Sequence, residues 1–358
     1  MLMKRRKIKK GIYRLIHLPG GINFLKYSGN KVTHYFRKLS GSLDVAHPST
    51  IMLEVTNHCN LHCITCPREY DYGKEMDKGD MNIALLKRLV DEAYPYIDSI
   101  GLTGMGEPLL YPHLPNALEY VKSKNRGILT NISTNATLPR APEIIDAIKT
   151  NLDTIQISID GIGDVYNNIR KNADYDDFID KVTQIQSLTK DSGTDLTFNM
   201  VVVKENYHQM SELIELAAEK GFANLTFTIF NLASVTDVGL EYYEFYKFPE
   251  FREAYRQAQE KAKQHPELDV FFQDIDRPGS FQNCPFPWTH FYVTWNGEVP
   301  PCCAKPFPKE LSFGSVVEQP LMNVLNSDGF KDFRRMWKDG ETPAFCRKCH
   351  FIMAGTDD

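Results

Sequence analysis

The stretch TNHCNLHCITCPRE, residues 56–69, directly follows the apolar run TIMLEV and carries three cysteines within eight residues. They are Cys59, Cys63 and Cys66. A closed structural zinc site needs four ligands and disulfides need pairs, so three thiols on one loop satisfy neither requirement. Three thiolates can instead hold three irons of a cubane cluster and leave the fourth iron open to a small molecule. The alternative is a zinc ion with His58 or His62 as its fourth ligand.

Short β-rich runs alternate with helical patterns from about residue 50 onward. The six runs are TIMLEVTN, SIGLTGMG, GILTNISTN, TIQISID, LTFNMVVV and NLTFTIF. Repeated βα units predict a parallel sheet with right-handed crossovers. Six units are fewer than the eight of a closed barrel. We therefore expect an α/β fold, a partial (β/α)6 TIM-type barrel, with its chemistry at the carboxyl ends of the strands.

Charge and cysteine usage narrow the class of protein. Residues 1–38 carry eleven Lys and Arg and no Asp or Glu, although the whole chain of 358 residues has a net charge of −5. This basic arm either contacts a polyanion, such as a membrane surface or an anionic substrate, or is a solvated extension. The sequence shows no apolar run that could span a membrane and no secretory signal, so we expect a cytoplasmic protein. Eight cysteines in that setting favour metal or redox chemistry over disulfides.

The first three cysteines and the turns after the next three β-runs together resemble the radical S-adenosylmethionine (SAM) superfamily. The CxxxCxxC spacing after the first strand is the first element of the resemblance. GMGEP resembles the family's GGEP-type motif, whose backbone binds the SAM amino group, and comprises Gly104, Met105, Gly106, Glu107 and Pro108. STN resembles the ribose-contacting segment and contributes Ser133 and Asn135. SIDG, with Ser158 and Asp160, and the downstream Arg170 resemble the segment that meets ribose and the SAM carboxylate.

The resemblance implies a specific chemistry for the first cysteine group. The unique iron of a [4Fe–4S] cluster chelates SAM, and one electron cleaves SAM to methionine and a 5′-deoxyadenosyl radical that abstracts a hydrogen atom from the substrate. By motif, Glu107 is expected to contact SAM or substrate. The sequence departs from the family at Thr65, where an aromatic residue near the adenine is usual.

The C-terminal cysteines resemble the SPASM/twitch extension of the same superfamily. Cys284-x12-Gly297-x4-Cys302 matches the start of that signature, and Cys346-x2-Cys349 completes a set of four. The resemblance implies a second, closed [4Fe–4S] cluster that transfers electrons, with a four-cysteine zinc ribbon as the alternative. Cys303 lies outside the four. It is a hydrogen-atom donor to a substrate radical, a replacement ligand for Cys302, or a small buried hydrophobe.

Four segments are expected: a basic N-terminal extension (1–47), the radical SAM partial barrel (48–235), a helical linker (236–283) and the auxiliary-cluster domain (284–358), in which Asn296-Gly297 predicts a hairpin. Within the linker, the aromatic residues from Tyr242 to Phe248 line a substrate cleft or pack as core.

The predicted function is a radical SAM oxidoreductase or epimerase that dehydrogenates or epimerises a carbohydrate or other small metabolite. Maturation of a ribosomally made peptide is one alternative, and a non-catalytic iron–sulfur carrier is another. An external one-electron reductant such as flavodoxin or ferredoxin is the expected protein partner, and no nucleic acid is expected.

Overall fold

The structure is a computed structural model that describes residues 17, 20–276 and 284–350. The strands are β1 (Thr50–Leu53), β2 (His62–Cys63), β3 (Ser99–Leu102), β4 (Leu129–Thr134), β5 (Thr154–Ser158), β6 (Arg170–Lys171), β7 (Asp195–Val202), β8 (Asn224–Ile229), β9 (Asp269–Phe272) and β10 (His290–Val293). The helices are α1 (Ile22–Ser40), α2 (Asp71–Lys74), α3 (Ile83–Ala93), α4 (Leu114–Lys124), α5 (Ala141–Ile148), α6 (Asp164–Ile169), α7 (Tyr175–Thr189), α8 (Met210–Glu219), α9 (Pro249–Gln264), α10 (Leu321–Leu325) and α11 (Asp328–Asp339).

Eight of these strands form one sheet in the order β10-β1-β3-β4-β5-β7-β8-β9, and every neighbouring pair is parallel. The six predicted β-runs are its six central strands, in chain order, and the five helical patterns between them are confirmed as α3, α4, α5, α7 and α8. Gly221 lies just beyond α8 with a φ of +71°, the left-handed conformation in which glycine commonly ends a helix. The partial α/β barrel predicted from the sequence is therefore confirmed.

Both edges of the sheet differ from the prediction. The segment expected to be a helical linker contains α9 but also β9, which pairs with β8. The first strand of the expected C-terminal hairpin is β10, which pairs with β1 instead of staying within a separate module. The turn itself forms as predicted, with Gly297 at a φ of +85° and Thr294 N donating to Glu298 O at 2.9 Å. The part of the linker from 277 to 283 lies outside the described residues.

The central strands present two different faces. Alternate residues such as Ile132, Ile155 and Phe198 are buried in the hydrophobic core. The positions between them carry polar, half-buried side chains such as Gln156 and Asn199. Because side chains of a strand alternate between faces, one face of the sheet forms the apolar core and the opposite face is polar. The polar face offers the hydrogen-bonding groups that a bound polar molecule needs.

The aromatic residues of the linker mostly belong to the core, the second of the two alternatives. Tyr243, Phe245 and Tyr246 are buried within the 3₁₀ segment Leu240–Lys247, whereas Phe248 is exposed. The Tyr246 hydroxyl donates to the carbonyl of Val202 at the end of β7 at 2.7 Å. The Tyr243 hydroxyl donates to Lys348 O at 2.7 Å and so ties this segment to the C-terminal cysteine region. None of the helices within the described ranges is long and apolar enough to cross a membrane.

Candidate active site

The loop that carries the first three cysteines is held against the later part of the barrel. Cys63 lies in β2, which pairs antiparallel with β6 so that Cys63 faces Arg170. Beside this ladder, Ile64 N donates to Ile169 O at 3.0 Å. Cys66 N donates to Cys63 O at 3.0 Å, which turns the chain between the second and third cysteine. The loop lies directly after β1, at the carboxyl end of the sheet, as the sequence predicts.

The three thiols are close enough to influence one another's ionisation, and together they could bind a positively charged metal centre. All three are free and half-buried. Burial raises the pKa of Cys63 to about 11 and that of Cys66 to about 12; Cys59 raises the pKa of both further, and Cys63 also raises that of Cys66. Bare thiolates are therefore unfavourable here. A bound iron–sulfur cluster would replace the protons and supply the positive charge that three thiolates need, so these residues fit the cluster that the motif implies.

No three His, Cys, Asp or Glu side chains within residues 17, 20–276 and 284–350 form a group that could hold a metal ion. In a four-iron cluster each cysteine binds a different iron, so its ligands need not converge on one point as they do around zinc. Within these residues, neither cysteine group has side chains arranged around one point as a single zinc ion requires.

The GMGEP loop is fastened to the end of β1 by Glu54, a residue that the sequence analysis did not single out. The buried Glu54 carboxylate accepts hydrogen bonds from Met105 N at 2.9 Å and from the Tyr292 hydroxyl at 2.6 Å. A Cβ on Gly104 would lie 2.5 Å from Glu54 Cγ, so only glycine permits this approach. Glu54 therefore connects the GMGEP loop with β10. Its only sequence signal is an acidic residue at the end of an apolar strand.

Glu107 lies in the same loop, but its carboxylate is directed into the protein. It is buried and accepts hydrogen bonds from Leu109 N at 3.1 Å, from Thr134 Oγ1 at 2.7 Å and from Asn135 N at 2.7 Å. Burial raises its pKa, and these hydrogen bonds oppose that shift. The arrangement favours a positioning role for Glu107 over the direct contact with SAM or substrate that the motif predicts. The adjacent Pro108 begins a 3₁₀ turn.

Asn135 connects the end of β4 to the first cysteine. Its side-chain amide donates to Asn60 Oδ1 at 3.0 Å and approaches Cys59 Sγ at 3.7 Å. Its Oδ1 accepts from Thr137 N at 2.9 Å, so the side chain is oriented on both sides. Ser133, two residues earlier, lies half-buried on the polar face of the sheet. The structure thus brings the predicted ribose-contacting segment next to the cysteine loop, and the contact with ribose stays a prediction.

Asp160 and Arg170 form a buried ion pair beside the second cysteine. Arg170 Nη2 lies 2.8 Å from Asp160 Oδ2, and Arg170 Nη1 lies 3.9 Å from Cys63 Sγ. Asp160 is fully buried and also accepts from Val201 N at 2.9 Å, which fixes it to β7. Arg170 Nε is buried without a hydrogen-bond partner. Ser158, at the end of β5, is half-buried. Asp160 therefore positions Arg170, and Arg170 keeps a donor for an anionic group such as the predicted SAM carboxylate.

Arg68, two residues after the third cysteine, is a second buried guanidinium that the sequence analysis missed. Its side chain is 6% exposed and its Nε has no hydrogen-bond partner. It lowers the pKa of Glu54, Cys59 and Cys66, which places its positive charge among these three groups. Burying a cation is unfavourable unless negative groups compensate it. The cluster-bound thiolates of Cys59 and Cys66 would provide that compensation. The structure reveals this role because it shows that Arg68 lies close to both cysteines.

The C-terminal cysteines form a second electrostatic group. Burial raises the pKa of Cys302 well above its ordinary value, and so do Cys303, Cys349, Cys346 and Cys284. Lys305 N donates to Cys302 O, and Cys349 N donates to Cys346 O. The structure therefore brings together the four cysteines predicted to hold the auxiliary cluster, which fits a cluster for the same reason as the first group.

Cys303 lies beside the four C-terminal cysteines. Burial raises its pKa to about 12, with contributions from Cys349 and Cys284 on the auxiliary side. On the other side, Cys303 raises the pKa of Tyr292, whose hydroxyl bonds to Glu54 beneath the GMGEP loop. The Cys303 thiol is therefore close to the auxiliary cysteines and to Tyr292, which connects it through Glu54 with the GMGEP loop.

A cleft separates the GMGEP loop from the C-terminal region. It encloses about 470 Å³ including its open mouth. Glu54, Asn57 and Met105 line it from the barrel, and Trp295 and Phe307 line it from the C-terminal region. Asp77 and Lys309 also line it and are 3.8 Å apart. The cleft is therefore a concave surface beside the GMGEP loop at which a substrate can approach.

Gly106 provides a test of how tightly the GMGEP loop and the cysteine loop pack. A Cβ at Gly106 would lie 2.4 Å from Thr56 O and 2.7 Å from Asn57 Cα, both backbone atoms that cannot rotate away. Gly106→Ala should therefore lower the free energy of unfolding by about 1–3 kcal/mol and reduce the iron content of the purified protein. Urea denaturation and iron analysis measure both.

The matched control is Gly29→Ala in α1, where an added Cβ meets nothing within 4 Å. Alanine in a helix interior should stabilise by about 0.5–1 kcal/mol and leave the iron content unchanged. Unaltered stability and iron content in Gly106→Ala would contradict the described packing.

Comparison with known proteins agrees with this site. The model of the radical SAM superfamily matches residues 53–217, and the model of an iron–sulfur cluster-binding domain, SPASM, matches residues 284–350. The two matches contain all three cysteines of the first group and all five of the second. The chain belongs to the radical SAM superfamily and carries a C-terminal SPASM domain. Its cofactors are accordingly SAM and [4Fe–4S] clusters.

Individual relatives cover most of the chain. A tungsten-containing aldehyde ferredoxin oxidoreductase cofactor-modifying protein from Pyrococcus furiosus is 26% identical over 84% of this chain and 86% of its own length. The antilisterial bacteriocin subtilosin biosynthesis protein AlbA from Bacillus subtilis is 23% identical over 90% of this chain and 68% of its own. SuiB from Streptococcus suis, solved bound to its precursor peptide SuiA, superposes with a TM-score of 0.64 at 16% identity, covering 90% of this chain and 74% of SuiB. This last likeness shows the fold.

Proposed function

We propose that this radical SAM enzyme modifies a peptide made by the ribosome. Two of the relatives support this reading, because one acts in the biosynthesis of a bacteriocin and the other was solved with a precursor peptide. The relative from Pyrococcus furiosus is named for a cofactor-modifying role, so a small cofactor is the second candidate. The peptide alternative thereby takes precedence over the carbohydrate or small metabolite that the sequence alone favoured.

The observation that carries the proposal is the cleft between the barrel and the C-terminal region. Its walls come from separate chain segments around residues 54–57, 72–77 and 294–309, with Met105 beside Glu54. Aromatic and charged side chains are both present, which suits a peptide with apolar and charged residues. The cleft opens next to the GMGEP loop, so a bound segment would lie beside the first cysteine group.

The residues of this chain divide the work of the site. Cys59, Cys63 and Cys66 would hold the first cluster, which together with SAM supplies a carbon radical able to remove a hydrogen atom from an unactivated carbon. Glu54 and Glu107 fix the GMGEP loop, whose backbone is proposed to bind SAM. Asn135 and Ser158 are proposed to contact ribose, and Arg170 the SAM carboxylate. None of the eight cysteines is in a disulfide, which favours a reducing compartment such as the cytoplasm, with a flavodoxin or ferredoxin as reductant.

Co-expression tests the choice of substrate. Each short open reading frame encoded beside the gene is expressed with the chain, and the peptide product is weighed by mass spectrometry. A crosslink removes two hydrogen atoms, and an epimerisation in D2O replaces one hydrogen atom by deuterium without other change. The Cys66→Ala variant is the control. Unmodified peptides, together with a modified small metabolite from the same cells, would overturn the peptide proposal while leaving the radical SAM assignment intact.

Cys303 is proposed as a hydrogen-atom donor within this reaction. Its S–H hydrogen would pass to the substrate radical, and one electron from the external reductant with one proton would restore the thiol. We expect Cys303→Ala to keep its full iron content, since four other cysteines complete the auxiliary set, but to lose deuterium incorporation into the peptide. Iron analysis and mass spectrometry measure the two effects. Lowered iron would make Cys303 a cluster ligand, and unchanged product would leave it a packing residue.

A further inference from the structure

The helix α1 exposes its apolar side to solvent. Its outward residues stand at intervals of three, four and seven, which places them along one side of the helix. These residues, here called the apolar stripe, are Ile22, Leu25, Val32, Phe36 and Leu39. Each is between 52% and 69% exposed, and Phe24 and Tyr35 beside the stripe are exposed as well. A contiguous exposed apolar surface of this kind marks an interaction site.

The polar side of α1 attaches the helix to the barrel, so the stripe cannot simply turn inward. Asn30 exchanges two 3.0 Å hydrogen bonds with the backbone of His47. The Tyr27 hydroxyl and Lys31 Nζ each lie 2.7 Å from the Asp98 carboxylate. These contacts fix the rotation of the helix about its axis. The orientation of α1 is the reverse of that of a usual surface helix, whose apolar side faces the core.

The helix lies at the end of the barrel away from the first cysteine group, and its last turns line a cavity that also contains Cys284 of the second group. His47 comes shortly before β1, and Asp98 comes directly before β3, so α1 is attached at the amino ends of the strands. The cysteine loop and the GMGEP loop follow the carboxyl ends of the same strands. Anything that covers the stripe therefore leaves the candidate active site accessible.

Basic residues border the stripe on both sides. Lys26 stands four residues after Ile22, and Lys38 stands three residues after Tyr35, so each is a neighbour of the stripe on the helix surface. Both lysines are exposed. The sequence before the helix adds seven more basic residues, and residues 1–38 contain no acidic residue. A partner for this surface must combine an apolar interior with negative charge at its margin.

We infer that the apolar stripe of α1 docks onto the surface of an anionic phospholipid bilayer. The helix lies parallel to the membrane, with the stripe among the acyl chains and Lys26 and Lys38 at the headgroups. The basic residues that precede the helix add attraction to the negative surface. The chain is thereby held on the membrane without crossing it, with its first cysteine group directed away from the lipid.

A second copy of this chain is the competing occupant, because spacings of three and four also suit helix pairing. Charge disfavours it. Two helices joined through their stripes would bring the lysines of both copies together, and no acidic residue within 1–38 is present to pair with them. Like charges at the borders of a helix pair oppose association. An anionic membrane turns the same lysines into favourable contacts.

Vesicle sedimentation tests the inference with the full chain. The protein should co-sediment with vesicles of phosphatidylglycerol and phosphatidylcholine, bind much less to phosphatidylcholine alone, and be released by high salt. Leu25→Ser/Phe36→Ser should weaken partition about tenfold or more, because two large apolar side chains no longer enter the lipid. Lys26→Glu/Lys38→Glu should weaken binding to the anionic vesicles.

The matched control is Phe248→Ser/Val317→Ser, which removes two exposed apolar side chains outside α1 and should bind like the unaltered chain. Circular dichroism verifies that every variant is folded. Protein that stays in the supernatant with both vesicle types overturns the inference, as does unchanged binding of Leu25→Ser/Phe36→Ser. A dimer in sedimentation equilibrium that this variant converts to monomer would assign the stripe to a second copy instead.

Discussion

Cys66→Ala is expected to abolish formation of 5′-deoxyadenosine from SAM, with a rate lower by about a thousandfold or more. The variant lacks a proposed ligand of the cluster that binds SAM and delivers the electron that cleaves it. Iron should fall from about eight to about four per chain, since two four-iron clusters are expected and one would be lost. Anaerobic reconstitution followed by iron analysis and chromatography of the nucleoside products measures both quantities.

The matched control for this result is Cys349→Ala in the second cysteine group. It should also reduce iron to about four per chain, but it should still cleave SAM while failing to form the modified peptide. Because both variants should hold the same amount of iron, a difference in SAM cleavage between them reports which cysteine group carries out that step. If Cys66→Ala still cleaved SAM, the division into one open and one closed cluster would be contradicted. A complete loss of SAM cleavage in the single variant Cys349→Ala would contradict it as well.

Asp160→Asn is expected to be the most destabilising single substitution at the site. It leaves Arg170 buried beside Cys63 without its counter-charge. Breaking a buried ion pair from one side costs about 3–5 kcal/mol, because the remaining charge is uncompensated. The pKa of Arg170 is raised by Asp160 against the effect of burial, so the guanidinium is charged in the folded protein. Urea denaturation followed by circular dichroism measures the loss.

The control for Asp160→Asn is Glu260→Gln, which removes an exposed ion pair with Arg256 on α9. Solvent screens such pairs, so the denaturation midpoint should not change measurably. Asp160→Asn should also weaken SAM binding, because Arg170 loses the contact that orients it. A midpoint that moves equally little in both variants would show that the Asp160–Arg170 pair does not have the role described here.

The sequence predicted the centre of the sheet well because local pattern and topology agree there. Alternating strands such as β5 and β7 and amphipathic helices such as α7 are specified within their own residues. The edges were different. β9 is a short run after a polar helix, and β10 is the first arm of the predicted hairpin. Their pairing with β8 and β1 depends on contacts across the fold. Local periodicity does not contain that information.

The same distinction applies to the site. The cysteines, the GMGEP loop and Arg170 are recognisable because each occupies a fixed place in a motif. Glu54 and Arg68 have no such signal, since their roles come from partners such as Tyr292, 238 residues away from Glu54. The opposite case is Glu107, whose motif predicts a ligand contact but whose carboxylate is taken by three protein donors.

The central claim is that the first cysteine group and the loops around it cleave SAM reductively. The most direct measurement is to reconstitute the chain with iron and sulfide, add SAM and dithionite under anaerobic conditions, and quantify 5′-deoxyadenosine. The account predicts its formation by the unaltered chain and none by Cys59→Ala, Cys63→Ala or Cys66→Ala. A fully reconstituted chain, with about eight irons bound, that releases no 5′-deoxyadenosine would contradict it.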